Sequence, residues 1–299
     1  MDQGIGQVGL ASAPIHNGEI LQGAFICAGG LRRGLVTLPC PLYSVHATFT
    51  SGPQPLITVS PAWKSKARRA AELTLASFDV SAGGHLELSG DVPVSRGFGS
   101  STSDVLAAIG AVCNAFALSV SAQAMARLAI RAETASDSLM FDDAAVLFAH
   151  RDGDVIEDFG YPLPPTQVLG FGSRPSEAGR GVETLSLTPA RYTDDEIRQF
   201  SDLRDMLRAA ILAKDVRLVG RVATASTRLN QRHLPIPQLD RILAIVQESS
   251  AVGLQISHSG DIAGVIFDRD DPDVDACLAY AQQLLRDIGI VEQWKFTTN

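Results

Sequence analysis

The stretch Pro93-Val94-Ser95-Arg96-Gly97-Phe98-Gly99-Ser100-Ser101-Thr102-Ser103 carries the densest chemistry in the chain. Two glycines allow left-handed backbone and close approach to a ligand, and four consecutive hydroxyls follow them. The segment runs into an apolar stretch, 104–118, that reads as a buried helix. The first N–H groups of a helix have no internal partners and its dipole favours anions, so this turn suits phosphate. Pro93, Arg96, Gly97, Phe98, Gly99, Ser100, Ser101 and Thr102 are the candidate phosphate-binding residues. Ser101 is also placed to ligate a phosphate-bound magnesium ion, which needs few protein ligands. The plainer reading is a helix-capping loop. A Walker A loop is excluded because no G-x-x-x-x-G-K-[ST] occurs, and the third glycine of a dinucleotide fold is missing.

Acidic groups follow at short range in Glu133-Thr134-Ala135-Ser136-Asp137. Such groups serve a metal ion or orient a hydroxyl, or they form a solvated helix end. Asp142 and Asp143 rival Asp137 as the base, although their setting also suits a strand-entry turn.

The elements around these residues alternate. Strands are expected at 18–28, 34–38, 44–50, 56–59 and 84–88, with a helix at 64–77. Ser121 caps a helix ending at Glu133. Strands at 144–149 and 155–159 flank a turn at 151–154. The proline-rich stretch 161–165 marks a domain junction, giving domains of 1–163 and 164–299. Beyond it come a strand at 168–171, helices at 194–213, 216–230 and 235–249, and strands at 254–257 and 263–267. A last helix starts at Asp271-Pro272. The order suits two α+β layers rather than one doubly wound sheet.

Composition bounds the partners. The 299 residues are 45% hydrophobic and 19% charged, with a net charge of −8. That acidic balance argues against nucleic acid and anionic membranes, so a polyphosphate would need local donors and a metal. Cys27, Cys40, Cys113 and Cys277 show no C-x-x-C spacing, which argues against a zinc site or disulfide framework. No leader-like start and no run of 18 apolar residues is present, and a cytoplasmic protein is expected.

Three segments together resemble the GHMP kinases. P-x-x-x-G-x-G-S-S-T at 93–102 looks like that family's phosphate-binding motif. Ala13-Pro14-Ile15-His16-Asn17-Gly18-Glu19-Ile20-Leu21-Gln22-Gly23 resembles its first motif, and Ser257-His258-Ser259-Gly260-Asp261-Ile262-Ala263-Gly264 its third. The wording G-E-I-L-Q-G, then Cys40-Pro41-Leu42-Tyr43-Ser44, then H-S-G is most similar to the branch of bacterial L-threonine kinases of cobalamin synthesis.

The resemblance implies an α+β fold with a ribosomal-protein-like N-terminal domain and a ferredoxin-like C-terminal domain, ATP and acceptor lying between them. It implies transfer of phosphate from ATP to a small alcohol, with Ser101 and Glu133 holding Mg2+ and Asp137 contacting the acceptor hydroxyl. Glu19, Gln22, Ser257, His258, Ser259 and Gly260 would face the acceptor. Other acceptors in the family are homoserine, sugars and mevalonate-type alcohols; a non-catalytic nucleotide sensor and a homodimer are further expectations. Many members carry a lysine in the first motif, where this chain offers His16 and Asn17. The Lys64–Arg69 cluster reads as a solvated helix face, although the resemblance places this region near the nucleotide. His150-Arg151-Asp152 and Asp158-Phe159-Gly160 spell protein-kinase triplets but are too close together, and read as a hairpin turn and a strand end. The aspartates at 268–273 form a helix-start loop, lacking an EF-hand's glycine and glutamate.

Overall fold

A computed structural model describes residues 6–92, 97–173, 190–258 and 262–298. The chain opens with a long hairpin, β1 (Val8–Cys27) and β2 (Gly30–Gly52), where separate short strands were expected. β3 (Ile57–Ser60), α1 (Ser65–Ser77) and β4 (Gly83–Ser89) follow. Next come α2 (Ser100–Ala115), α3 (Ala122–Glu133), β5 (Val146–Ala149), β6 (Asp154–Asp158) and β7 (Thr166–Gly172). The C-terminal part contributes α4 (Asp194–Ala213), α5 (Val216–Asn230), α6 (Leu239–Glu248), β8 (Gly253–Ile256), β9 (Ile262–Asp268), α7 (Val274–Asp287) and β10 (Gln293–Thr297).

All ten strands join one mixed sheet, whose main path runs β10-β7-β9-β8-β1-β2-β4-β3, so the two expected layers share a sheet. The join between β1 and β8 is narrow: Glu19 pairs with Ile256. β5 and β6 form a side hairpin on β2, and the two kinase-like triplets fall on its turn and its end, as the sequence suggested.

Apolar packing changes sides along β1. Ala13 belongs to a core with α1, α2 and α3, whereas Ile15 belongs to one with α4 and α5. A third core fills the space between β7, β8, β9 and helices α6 and α7. The seam at residues 13–15 is also where the β1–β2 ladder loses register, between Pro14 and Ile15, His16 and Glu19, and Glu19 and Leu21. Bulges insert unpaired residues and re-aim side chains, and Gly18, at φ +82°, supplies the left-handed residue.

Several boundaries differ from expectation. α2 begins at Ser100, so the hydroxyl run is its first turn rather than a loop before it. α6 begins at Leu239, not 235, and α7 starts after Asp273 without a side-chain cap, leaving Asp271-Pro272 in the preceding turn. The first half of β1 is poor in β-formers because α2 lies directly on it: a Cβ on Gly9 would stand 2.1 Å from the Ala111 carbonyl. β10 was not anticipated; five residues with one buried apolar position give little period-2 signal.

Candidate active site

Gly99 caps α2 in the left-handed conformation, at φ +68°. Its α-carbon faces two side chains so closely that a Cβ there would lie 2.2 Å from His16 Cδ2 and 2.9 Å from Asp137 Oδ2. Glycine is therefore demanded by both torsion and space. Gly97 also has positive φ, at +87°. The Phe98 side chain points away from the turn, buried against Trp294 and Tyr43 with ring centroids 5.0 and 5.9 Å apart. Phe98 thus anchors the turn, and its carbonyl accepts the His16 N–H at 3.2 Å. Ser103 ties the same turn to the first motif by donating to the Pro14 carbonyl at 2.6 Å.

The first turn of α2 faces the end of α3. Ser101 Oγ donates to Glu133 Oε2 at 2.7 Å, and Thr102 Oγ1 to Glu133 Oε1 at 2.8 Å. Thr102 Oγ1 also lies 3.2 Å from Asp137 Oδ2 and accepts the Asp137 N–H at 3.3 Å. One hydroxyl therefore links both carboxylates. Burial pushes the Glu133 carboxyl up, opposed by the Ser101 and Thr102 hydrogen bonds and reinforced by Asp137, to about 7. A buried carboxylate with only hydroxyl donors on its oxygens is a fitting ligand for a divalent cation, and Ser101 is its neighbour in that role.

Asp137 is held differently. Burial works to raise its pKa, but the hydrogen bond from His16 and the charge of the nearby His258 hold the carboxyl below the usual range. His16 Nε2 stands 3.0 Å from Asp137 Oδ2. Burial lowers the His16 pKa while Asp137 and Glu19 raise it, upward on balance. The Gly18 N–H, however, donates to His16 Nδ1 at 2.9 Å. A second proton on Nδ1 would meet that donor, so the contact fixes the neutral ring with its proton on Nε2, aimed at Asp137.

Glu19 grips the third motif from the same bulge. Its Oε2 accepts the His258 N–H at 2.7 Å and its Oε1 the ring Nδ1 at 2.8 Å. Burial would lower the His258 pKa, but Glu19 and Asp137 raise it to about 9. The ring Nδ1 lies 3.8 Å from Asp137 Oδ1, an oxygen without a hydrogen-bond partner and shut off from solvent. His16, Glu19 and Asp137 place ligand-type atoms within 4.8 Å of one another. With both His16 nitrogens already hydrogen-bonded, those bonds account for the cluster without an ion.

The structure thus brings together Gly97, Gly99, Ser100, Ser101, Thr102, Glu133, Asp137, Glu19 and His258. Gln22 is buried on β1 with its side-chain nitrogen 3.4 Å from the Ile256 carbonyl, and its backbone N–H donates to Ser226. Ser257 is buried beside it, its N–H donating to the Ile262 carbonyl. Pro93, Arg96, Ser259 and Gly260 lie outside the described residues. Asp142 and Asp143 are exposed, and Asp137 is the acid that shares bonds with Thr102 and His16.

The basic cluster of α1 is only partly a solvated face. Lys66 Nζ donates to Ser101 Oγ at 3.2 Å, and Lys64 Nζ to Asp104 Oδ2 at 2.5 Å, so two of its cations reach α2 rather than solvent alone. His16 as orienting group and the dual role of Thr102 were beyond sequence reasoning, because both depend on pairings across more than 30 residues.

The chain as a whole is similar to known proteins. The model for the N-terminal domain of GHMP kinases matches residues 65–150, and that for their C-terminal domain matches 207–284. The chain belongs to the GHMP kinases, two-domain α+β phosphotransferases with an alcohol group as acceptor. An L-threonine kinase of Salmonella typhimurium is 27% identical over 89% of this chain and 85% of its own length. A homoserine kinase of Lactococcus lactis is 25% identical over 60% of this chain and 61% of its own. The homoserine kinase structure from Cytophaga hutchinsonii superposes with a TM-score of 0.71 at 14% identity, covering all of this chain and 96% of that one. Among the described residues no helix is long and apolar enough to cross a membrane.

Proposed function

We propose that this kinase transfers the γ-phosphate of ATP to the hydroxyl of L-threonine or a similar small hydroxy-amino acid. The observation that carries the reading is the Thr102 hydroxyl, bonded to Glu133 on one side and to Asp137 on the other. It sets a metal ligand and a hydroxyl-orienting acid side by side at the mouth of α2. Magnesium, held by Ser101 and Glu133, supplies charge neutralisation for the polyphosphate when bound. Gly97, Gly99 and Ser100 offer backbone N–H groups to phosphate oxygens, and Lys66 adds a cation beside Ser101.

Asp137 receives the acceptor's O–H on Oδ1, orients the oxygen in line with the phosphorus, and takes the proton as the P–O bond forms. A depressed pKa keeps the carboxylate ionised to orient the hydroxyl until the proton moves, late in the transfer. His16 keeps the other oxygen occupied, which fixes the carboxylate plane. In this reading residues 1–163 form the ATP-binding domain and residues 164–299 the C-terminal domain, with ATP and acceptor in the cleft between them, and the enzyme works in the cytoplasm, as a homodimer, supplying cobalamin synthesis. The 27% identity to the Salmonella L-threonine kinase supports threonine; the L. lactis relative supports homoserine as the second reading.

The test is ADP release with L-threonine, L-homoserine, galactose and mevalonate, with 31P detection of the phosphate ester. A phosphothreonine product supports the first reading. Turnover confined to a sugar or to mevalonate overturns both amino-acid readings.

A further inference from the structure

Successive strand residues face opposite ways, and β2 uses this to sort two arginines. Arg32 pairs with Asp154 at 3.2 Å and Asp152 at 3.9 Å. Those are the acids of the β5–β6 turn, so both are engaged on that face. Arg33, on the opposite face, has a backbone carbonyl, that of Ala190, as its partner among the described residues. β2 meets β5 where Leu35 pairs with Phe148, which sets Arg33, two residues along β2, on the same side as the turn after β5, close enough for its charge to act on His150.

Arg151 follows His150 and has no ion-pair partner among the described residues. The His150 ring packs against that of His258, centroids 5.5 Å apart. Its Nδ1 is closed off from solvent and has no hydrogen-bond partner. The charged groups facing His150 are His258, Asp137, Arg151 and Arg33, three cationic against one anionic. Burial and then His258, with the two arginines, push the imidazole down to about 3, so it stays neutral among cations. An anion is the missing member of this set.

We propose that Arg33, Arg151 and His150 form an anion subsite for the carboxylate of the acceptor, so that this kinase selects small hydroxy acids over neutral alcohols. The inference rests on the reading that the acceptor hydroxyl lies on Asp137, from which His258 and then His150 lead outward. The neutral His150 donates from Nδ1 to one carboxylate oxygen, and the arginines supply charge and further donors. The cavity described beside the site does not compete for this group. The cavity of about 430 Å³ lined by Thr37, Cys40, Ser138, Leu139 and Asp142 has no cation in its walls.

The deciding experiment compares kcat/KM for whichever of L-threonine and L-homoserine is phosphorylated with that for its amide, which keeps the hydroxyl and the ammonium but loses the carboxylate charge. The subsite requires the amide to be about ten- to hundredfold poorer, chiefly through KM, as expected for a lost charge-assisted pair. Arg33→Gln should then depress the acid far more than the amide and erase most of the discrimination. A second readout is the His150 ring proton resonance, which should titrate at higher pH when the acid is added and not when the amide is. Equal use of acid and amide by the unaltered enzyme, or an equal loss of both in Arg33→Gln, overturns the subsite alone. Failure of every hydroxy acid to accept phosphate overturns the hydroxy-acid reading and the subsite with it.

Discussion

His16 and Asp137 face each other at 3.0 Å from opposite ends of the N-terminal half, with the Gly18 N–H holding the far side of the ring. The bulge that turns His16 inward also turns Glu19, which binds His258. One irregularity in one strand therefore aligns the first motif, the acid after α3 and the third motif. In place of a lysine's single mobile cation, the site has a neutral donor locked to one carboxylate oxygen and an imidazole held near the other.

Asp137→Asn should lower kcat by about a thousandfold, within the range for loss of a positioned acid–base group, with little change in ATP affinity. Steady-state kinetics with calorimetric ATP binding checks this. Equal loss of turnover and nucleotide binding would make Asp137 a structural residue.

Thr102→Val keeps the shape of the side chain and removes the hydroxyl shared by the two carboxylates. Hydrogen bonds to charged groups contribute about 1.5–3 kcal/mol. A ten- to hundredfold fall in kcat/KM is expected, together with a higher magnesium requirement as Glu133 loses a donor. An unchanged magnesium dependence would separate Thr102 from the metal.

Lys64 and Asp104 form a largely buried pair, their side chains 14% and 8% exposed. Burial raises the Asp104 pKa and the Lys64 hydrogen bond and charge oppose it. Lys64→Met should destabilise the fold by roughly 3–5 kcal/mol, because it strands a carboxylate that already has one unpaired oxygen. Adding Asp104→Leu should recover most of that loss in urea unfolding, as a pair removed whole is nearly neutral.

The sequence carried much of this arrangement. α4 and α5 coincide with their expected bounds because Thr193 and Asp215 cap them and the apolar period is clean. The glycine–serine turn was readable because glycines and hydroxyls must be local to it. Gly99 also shows the limit: its spacing marked a turn, but not that His16, 83 positions earlier, fills the room a Cβ would need. Nor could sequence show that Lys64 and Lys66 cross to α2, or that Arg33 and Arg151 meet around His150. Such pairings belong to the tertiary fold, and alternation along β2 is their one local trace.

The His258 imidazole gives a pH signature of stability. Its pKa rises from 6.5 to about 9 on folding, chiefly through Glu19 acting against burial. A raised cationic pKa stabilises fully below the unfolded value and is lost as pH climbs through the folded one. Thermal stability should therefore fall between pH 6.5 and 9, by up to about 3 kcal/mol for this group, whose side chain is 20% exposed. His258→Gln should flatten that part of the profile. An equally steep fall in the variant would assign the dependence to other groups.

Gly99→Ala tests whether the turn is set by torsion or by the room His16 needs. Gly29 provides the comparison: it too has positive φ, at +104°, but a Cβ there meets nothing within 4 Å. Gly29→Ala should therefore show the torsional penalty alone, about 1–2 kcal/mol. At Gly99 the same methyl would displace the His16 ring from Asp137 and disturb the first turn of α2. Stability should fall further than at Gly29, and both ATP affinity and kcat should drop, which denaturation and kinetics on the two variants can separate. Equal stability losses with normal kinetics at Gly99 would mean that the turn has space for a side chain and that the contact with His16 does not constrain it.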